Sequence, residues 1–186
     1  MSSIHLVLGG IRSGKSAHAE GLAAKLGEGR RVIYIATGTV TDDEMAERVR
    51  LHRERRPAEW QTVEAPLNPV GALQEAGVDS EHSPALLLDS LDGWVSNLLI
   101  EHERMDRKEL EGRTVGAVRR FVSYVGEVDA DAVVVSSEVG QSLVATSSLG
   151  RQFQDLLGTV NQAMAADADA VTLVVAGIPV LIKPQG

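Results

Sequence analysis

Short apolar runs recur along the chain and alternate with longer segments in which apolar residues fall at helical spacing. Runs rich in Val, Ile and Leu that are bounded by Gly, Asp, Ser or Pro are typical of buried strands. They predict strands over residues 4–8, 32–36, 85–88, 132–135 and 171–175. The intervening patterns predict helices over residues 14–26, 42–55, 91–104, 107–125 and 149–166.

This alternation favours an α/β architecture with a mostly parallel sheet and helices on both of its faces. Residues 61–64 predict a further short strand. The last apolar run, residues 180–183, follows the turn formed by Gly177, Ile178 and Pro179, which is too short for a helical crossover. We therefore expect a C-terminal antiparallel hairpin strand. Residues 66–84 are the loosest part of the chain, and none of the predicted helices falls there.

The composition sets broad limits on the fold and on the partners. A chain of 186 residues that is 44% hydrophobic suits one well-buried core, so a single domain over residues 1–186 is predicted. The absence of cysteine excludes disulfides, thiolate metal sites and a catalytic thiol. The first apolar run is far shorter than the roughly twenty residues that span a bilayer, so we expect a soluble cytoplasmic protein without a membrane partner. A net charge of −8 argues against a nucleic-acid partner.

The most specific local motif follows the first predicted strand and opens the first predicted helix. The sequence GGIRSGKS matches the phosphate-binding pattern G-x-x-x-x-G-K-[ST]. Such a loop presents backbone N–H groups and a helix N-terminus to an anion. Lys15 would reach the β- and γ-phosphates, and the Ser16 hydroxyl would bind the Mg²⁺ that bridges them. The predicted nucleotide-binding residues here are Gly9, Gly10, Ile11, Arg12, Ser13, Gly14, Lys15 and Ser16.

A second candidate element is the apolar run over residues 85–88, which ends in Asp89. Ligands of open α/β sheets bind at the carboxyl ends of the strands, so Asp89 would emerge beside the phosphate loop and hold Mg²⁺ directly or through water. An aspartate in this position is also a common N-cap, here for the helix that begins near Leu91. Both interpretations stay open at the level of sequence.

Residues 41–57, TDDEMAERVRLHRERRP, have the most unusual composition of the chain. Thr41 and Glu44 form a capping box and Pro57 follows the end, so a helix of nearly four turns is predicted. One interpretation is a solvated helix face with a half-buried His52. The other is a nucleophile or general base, because a histidine is largely neutral at pH 7. The basic residues that surround His52 are Arg48, Arg50, Arg53, Arg55 and Arg56.

A third tract, SSEVG, follows the strand predicted over residues 132–135. Glu138 in this tract would lie on the ligand edge of the sheet, where it would act either as a general base toward a substrate hydroxyl or as a hydrogen-bond acceptor within its loop. In the following helical pattern we expect Phe153 and Leu156 in the core, while Asn161 is a candidate for exposure.

Taken together these motifs resemble one family, the bifunctional adenosylcobinamide kinase and adenosylcobinamide-phosphate guanylyltransferase of cobalamin biosynthesis. The resemblance spans essentially the whole chain, and its most specific part is the block over residues 42–60. The segments that carry it are GGIRSGKS, YIATG, DDEMAERVRLHRERRPAEW, LLLDS, SSEVG, RQFQDLLGTVNQ and VVAGIPVLIK.

The resemblance implies a RecA-like P-loop fold, a three-layer α/β/α arrangement, and a homotrimeric assembly. It implies two reactions with Mg²⁺, GTP and ATP: phosphorylation of the corrinoid adenosylcobinamide, then GMP transfer from GTP through a guanylyl-histidine. His52 matches the histidine that carries GMP, and Lys15 the lysine of the kinase step. Nucleotide-contacting positions of the family fall on Ala36, Thr37, Gly38, Arg53, Glu54, Arg55, Arg56, Glu64 and Asp89.

The sequence also departs from the family pattern. Asp89 stands where some relatives carry Glu, and the loop GQSLVATSS replaces the expected G-x-G-I-V-P. Two other classes of function stay open at this stage. A monofunctional P-loop kinase would use Lys15, Ser16 and Asp89 in the same way, but without covalent chemistry at His52. A RecA-like nucleotide-dependent binding module is the third alternative.

Overall fold

The computed structural model describes residues 2–39, 50, 56–81 and 83–184. Over this part of the chain, the predicted strands and helices follow one another in the expected order, with one additional helix at Pro69–Glu75. The strands are β1 (Ser3–Gly9), β2 (Val32–Ala36), β3 (Gln61–Glu64), β4 (Ala85–Asp89), β5 (Asp131–Ser137), β6 (Ala170–Val175) and β7 (Ile178–Lys183). The helices are α1 (Lys15–Leu26), α2 (Pro69–Glu75), α3 (Leu91–Glu101), α4 (Arg107–Glu127) and α5 (Ser148–Asp167).

The seven strands form one sheet in the order β3-β2-β4-β5-β1-β6-β7. All neighbours pair in parallel except β6 and β7, which are antiparallel. The predicted mostly parallel sheet, its extra strand at residues 61–64 and its C-terminal hairpin are therefore confirmed. Because β1 is an interior strand between β5 and β6, its carboxyl end lies within the edge at which the parallel strands stop.

Alternate residues of each strand pack on opposite faces of the sheet. On one face Val7, Leu87 and Val133 pack with Ala19 and Ala23 of α1. The other face carries the larger core, to which helices α2 to α5 contribute. Strands buried on both faces read as continuous apolar runs, which is why the sequence identified them. None of the helices that the structure describes combines the length and the apolar character that a bilayer span requires.

Two details differ from the prediction. Helix α2 lies in the stretch thought to be loose: Asn68 caps it by accepting from the Gly71 amide, Pro69 occupies its first turn, and Leu73 is fully buried. Helix α3 ends at Glu101, three residues earlier than expected. The helix predicted over residues 42–55 lies outside the described residues, apart from Arg50.

The hairpin turn also sits earlier than predicted. Ile178 and Pro179 already belong to β7, where they pair with Val175 and Val174. Proline is tolerated there because β7 is an edge strand of the described sheet, and an edge strand needs no hydrogen bond from every backbone nitrogen. The turn itself is made by Ala176 and Gly177, both of which have positive φ.

Candidate functional site

The phosphate-loop sequence connects the carboxyl end of β1 to the first turn of α1, as predicted. Arg12 and Gly14 adopt left-handed backbone conformations, with φ values of 57° and 92°. Gly14 is the N-cap of α1 and has no side chain with which to cap it. The first helical hydrogen bond runs from the His18 amide to the Gly14 carbonyl. The amides of the first turn before His18 therefore stay available to an anion, as phosphate binding requires.

The residues of the phosphate loop pack tightly against one another and against the end of β6. A Cβ atom on Gly9 would collide with Ser13 Oγ and would lie 2.8 Å from the Val174 carbonyl oxygen. The Ser13 amide donates to the Gly10 carbonyl at 3.2 Å. The Ser13 carbonyl in turn accepts from the Gly177 amide at 2.8 Å, so the β6–β7 turn supports the phosphate loop from behind.

Lys15 and Ser16 occupy the first turn of α1, and both are half-buried. The Lys15 ammonium donates to the Gly10 carbonyl at 3.3 Å and so lies over the loop. Gly10, Ile11 and Arg12 form its exposed outer part.

Strand register brings three of the predicted residues side by side. Ala36 at the end of β2 pairs with Glu64 of β3 on one side and with Asp89 of β4 on the other. Asp89 does not cap α3, because the N-cap is Ser90, whose hydroxyl accepts from the Gly93 amide. The capping interpretation of Asp89 is therefore wrong.

Thr37 is fully buried and serves the connection between β2 and α3. Its hydroxyl donates to the Ser90 carbonyl at 2.6 Å and accepts from the Ser90 amide at 2.8 Å. The Asn97 amide donates to the Thr37 carbonyl at 2.7 Å. Thr37 therefore fixes the backbone beside Asp89, while the adjacent Gly38 is exposed.

Tyr34 joins two of the predicted residues to each other. Its hydroxyl donates to Asp89 Oδ2 at 3.0 Å, and the Arg56 guanidinium carbon lies 3.4 Å from the centre of its ring. Burial, together with the neighbouring Asp89 carboxylate, raises the pKa of Tyr34 well above its usual range. The hydroxyl therefore stays protonated and able to donate. The arginine-rich segment therefore ends at Arg56 in contact with β2, the strand that pairs with β4 and its terminal Asp89.

Sequence reasoning missed Tyr34 as a site residue. In an apolar strand a tyrosine is typical of the core, and its contact with Asp89 depends on β4 lying beside β2. Residues His52, Arg53, Glu54 and Arg55 lie outside the described part of the chain, so their predicted roles stay predictions.

The loop after β5 lies next to the phosphate loop, because the Glu138 amide donates to the Gly9 carbonyl at 3.1 Å. The Glu138 carboxylate accepts from the Gly140 amide at 2.6 Å, which matches the loop interpretation and leaves the general-base role untested. Asn161 is buried rather than exposed, since it accepts from the Ser136 hydroxyl and donates to the Ser137 carbonyl. Leu156 is buried and Phe153 is half-buried against the core.

Two clefts flank this loop. The first has a volume of about 710 Å³ and includes residues 10–13 of the phosphate loop in its wall. The second, of about 480 Å³, lies along α5. Glu138, Val139 and Ser142 line both clefts, so the two are adjoining. We call them the loop cleft and the α5 cleft.

Comparison with known proteins agrees with this arrangement. In fold, the chain is similar to the KaiC-like protein PH0186 of Pyrococcus horikoshii OT3, with a TM-score of 0.50 and 12% identity over 92% of this chain and 70% of that one. This likeness concerns the fold alone, and it confirms the predicted RecA-like α/β architecture.

The sequence comparisons reach further. Residues 5–182 match the family described as cobinamide kinase / cobinamide phosphate guanyltransferase. The bifunctional adenosylcobalamin biosynthesis proteins CobU of Escherichia coli and Salmonella typhimurium are 39% and 40% identical over 96% of this chain and 98% of theirs. The corresponding protein CobP of Pseudomonas aeruginosa is 38% identical over 97% of both chains. Matches of this extent and identity show that the chain belongs to the cobinamide kinase / cobinamide phosphate guanyltransferase family.

Proposed function

We propose that this protein phosphorylates adenosylcobinamide with a nucleoside triphosphate and then transfers GMP from GTP to adenosylcobinamide phosphate, which yields adenosylcobinamide-GDP. The full-length similarity to relatives named as bifunctional supports the pair of activities. The observation that carries the proposal is the contact of Arg56 with Tyr34 and of Tyr34 with Asp89. These contacts bring the end of the arginine-rich segment to the sheet edge that carries the phosphate loop.

In the kinase step, the amides of residues 9–16 and the Lys15 ammonium would bind the phosphates. The acceptor hydroxyl attacks the γ-phosphorus, the bond to the β,γ-bridging oxygen breaks, and the nucleoside diphosphate leaves. Positioning and charge neutralisation supply most of the catalysis in such transfers.

Mg²⁺ would be held by the Ser16 hydroxyl and the Asp89 carboxylate. Both ligands are oxygens, which Mg²⁺ prefers, and Asp89 is only half-buried at the sheet edge. Within the described ranges there is no cluster of three or more His, Cys, Asp or Glu side chains for a metal. That suits an ion that takes one or two protein ligands and completes its shell with phosphate and water. When bound, the ion would neutralise charge on the β- and γ-phosphates.

In the guanylyl step, His52 would attack the α-phosphorus of GTP and expel pyrophosphate, which gives a phosphoramidate. The phosphate of the acceptor then displaces the histidine and takes GMP. The arginines around His52 in sequence would offset the negative charge of the α-phosphate and of the leaving group. Arg53, Glu54, Arg55, Arg56, Glu64 and residues 36–38 are proposed as nucleotide contacts.

The test separates the two reactions with two labels. With α-labelled GTP, the wild-type protein should form an acid-labile, alkali-stable adduct, and His52→Ala should form none. With γ-labelled ATP, Lys15→Ala should lose cobinamide phosphorylation by at least 100-fold, while His52→Ala retains it. His102→Ala is the matched control, because it also replaces a histidine by alanine. His102 is the C-cap of α3, at the opposite end of that helix from Ser90, which follows Asp89. Absence of the adduct in the wild-type protein would contradict the guanylyltransferase assignment.

We also propose a cytoplasmic homotrimer. Edge strand β7 supports self-association, since its apolar side chains Ile178, Val180, Leu181 and Ile182 are 48% to 66% exposed. An apolar strand edge of this kind favours association with another chain. Val180→Asp should lower the mass measured by sedimentation to that of a monomer, whereas Ile100→Asp on α3 should leave it unchanged. An unchanged mass in Val180→Asp would remove β7 from the subunit contact.

A further inference from the structure

The loop cleft and the α5 cleft together form a surface large enough for a large acceptor, and it begins at the phosphate loop. Ligand sites usually have volumes of roughly 300–1,000 Å³, and each cleft alone is within that range. The loop cleft touches the outer side of residues 10–13, next to the loop that would hold the triphosphate. An acceptor placed there would have its reacting group close to the phosphates, which is the requirement for transfer.

The walls of the two clefts combine apolar side chains with amides. Val139 and Phe153 supply apolar surface in the loop cleft, and Val144 does so in the α5 cleft. Gln141 lines the first cleft and Gln162 the second, and both are exposed. Within the described part of the chain, the side-chain amide of neither glutamine makes a hydrogen bond. An amide that is both donor and acceptor, and that is not already engaged, pairs well with another carboxamide.

Other polar groups in the α5 cleft are already engaged, and they shape it. Gln154 accepts from the Ala145 amide and donates to Ser142 Oγ and to the Leu143 carbonyl. The Arg151 guanidinium donates to the carbonyls of Ala145 and Thr146. These bonds hold the loop that follows Gly140 against α5, so the cleft is formed before any ligand arrives.

Strongly exposed apolar side chains lie at both clefts. Ile11 lines the loop cleft and is 87% exposed, and Val144 lines the α5 cleft and is 76% exposed. Leu143, the chain neighbour of Val144, is 94% exposed. Exposed apolar side chains that adjoin a concave site indicate a binding surface. They fit a ligand with a broad apolar face better than they fit a small polar alcohol.

We propose that the corrinoid acceptor binds across the two clefts, which deepens the proposed function and rests on it. A corrin macrocycle has a broad apolar face and a periphery of primary carboxamides. The face would lie against Val144 and the neighbouring apolar rim, and the carboxamides would pair with Gln141 and Gln162. The hydroxyl-bearing arm would extend past Glu138 toward residues 10–13.

The test measures cobinamide binding by equilibrium dialysis of the coloured dicyano form, in the presence of Mg²⁺ and a non-hydrolysable ATP analogue. Val144→Asp and Gln162→Leu should each raise the dissociation constant of cobinamide at least tenfold. Leu149→Asp and Gln152→Leu are matched controls, because they introduce the same two residues, Asp in place of an aliphatic side chain and Leu in place of Gln, at exposed positions that line neither cleft. Both controls should stay within twofold of the wild-type value. All four variants should bind a fluorescent ATP analogue as the wild-type protein does.

The outcomes separate this site from the function on which it rests. Wild-type affinity for cobinamide in both Val144→Asp and Gln162→Leu overturns the site, even if the protein phosphorylates cobinamide. A lower sedimentation mass in Val144→Asp with unchanged cobinamide affinity also overturns it, since the rim would then be a contact between copies of the chain. If the wild-type protein neither binds nor phosphorylates cobinamide, the proposed function itself fails.

Discussion

The Tyr34 hydroxyl donates a hydrogen bond to Asp89 at 3.0 Å, across the pairing of β2 with β4. The same ring carries the Arg56 guanidinium on its face. The Tyr34 hydroxyl thus orients Asp89, a proposed metal ligand, and the face of the Tyr34 ring holds Arg56, a proposed nucleotide contact.

Tyr34→Phe removes the hydroxyl and keeps the ring on which Arg56 rests. The hydrogen bond positions Asp89, so a less ordered Asp89 should lose about 1 kcal/mol of transition-state stabilisation, and we expect kcat of the kinase step to fall by roughly three- to tenfold. The matched control is Tyr124→Phe. In the wild-type protein the Tyr124 hydroxyl donates to the Val78 carbonyl at 2.7 Å within the core. Tyr124→Phe should lower thermal stability without a change in kcat. Equal kcat values for the two variants would argue against a positioning role of Tyr34.

Arg56→Lys tests the stacking separately from the charge. Lysine keeps the positive charge but loses the planar contact with the ring, which contributes on the order of 1 kcal/mol. Arg56 lies at the end of the segment that carries His52, so we expect the rate of guanylyl-adduct formation to fall by roughly fivefold. The kinase rate should change less than twofold. Arg119→Lys on the exposed face of α4 is the control, measured by the same two assays. A parallel loss of both activities would show that Arg56 acts on the phosphate loop in general.

Two glycine substitutions should change stability in opposite directions. In Gly9→Ala the new Cβ would meet Ser13 Oγ and the Val174 carbonyl, so we expect a loss of roughly 1–3 kcal/mol in the free energy of unfolding, with weaker nucleotide binding. Gly21 lies within α1 and has no atoms within contact distance of a new Cβ. Gly21→Ala should therefore add roughly 0.5–1 kcal/mol. Urea unfolding of the two variants provides the measurement. A free energy of unfolding in Gly9→Ala equal to that of the wild-type protein would contradict the tight packing of the loop.

Asp131 predicts how stability depends on pH. Burial alone would raise the pKa of Asp131, but hydrogen bonds from Ser3 and Arg30 outweigh it and hold the pKa below its usual value. A carboxylate with a lowered folded-state pKa stabilises the fold above its unfolded pKa, and this contribution is lost as the pH falls through the folded value. Asp131→Asn should therefore cost roughly 1–3 kcal/mol at pH 7, and the difference should shrink below about pH 4.

Asp131 pairs with Ser3 at the start of β1, at the opposite end of that strand from Gly9, so activity should be retained at neutral pH. Asp167→Asn, at an exposed position that ends α5, serves as the control in the same unfolding series. A constant difference between Asp131→Asn and the wild-type protein from pH 7 to pH 3 would rule out the ionised carboxylate as the source of the stability.

The parts of the fold that depend on local pattern were predictable from the sequence. Strands β2 and β4 are continuous apolar runs because both of their faces are buried, and the phosphate loop is a contiguous motif. Helix α2 was missed although Asn68 and Pro69 form a start signal, because seven residues give too few turns for a helical period to stand out.

The parts of the site that depend on distant neighbours were not predictable. Tyr34 meets Asp89 only because β4 pairs with β2, and a single chain does not reveal that pairing. Asn161 is buried only because the carboxyl end of β5 supplies Ser136 and Ser137 as partners. In both cases the polar group is satisfied by an element far away in sequence, so local polarity alone points to exposure.

The hydrogen bond from Gly177 to Ser13 has a consequence for the proposed assembly. Gly177 begins the return into β7, the edge strand with the exposed apolar side chains, and Ser13 belongs to the loop proposed to bind phosphate. Gly177 directly precedes β7, so a displacement of β7 by a neighbouring chain would move the Gly177 amide. Through its hydrogen bond, this amide would shift the Ser13 carbonyl of the proposed phosphate loop. Nucleotide affinity that depends on protein concentration would be the visible sign of this link.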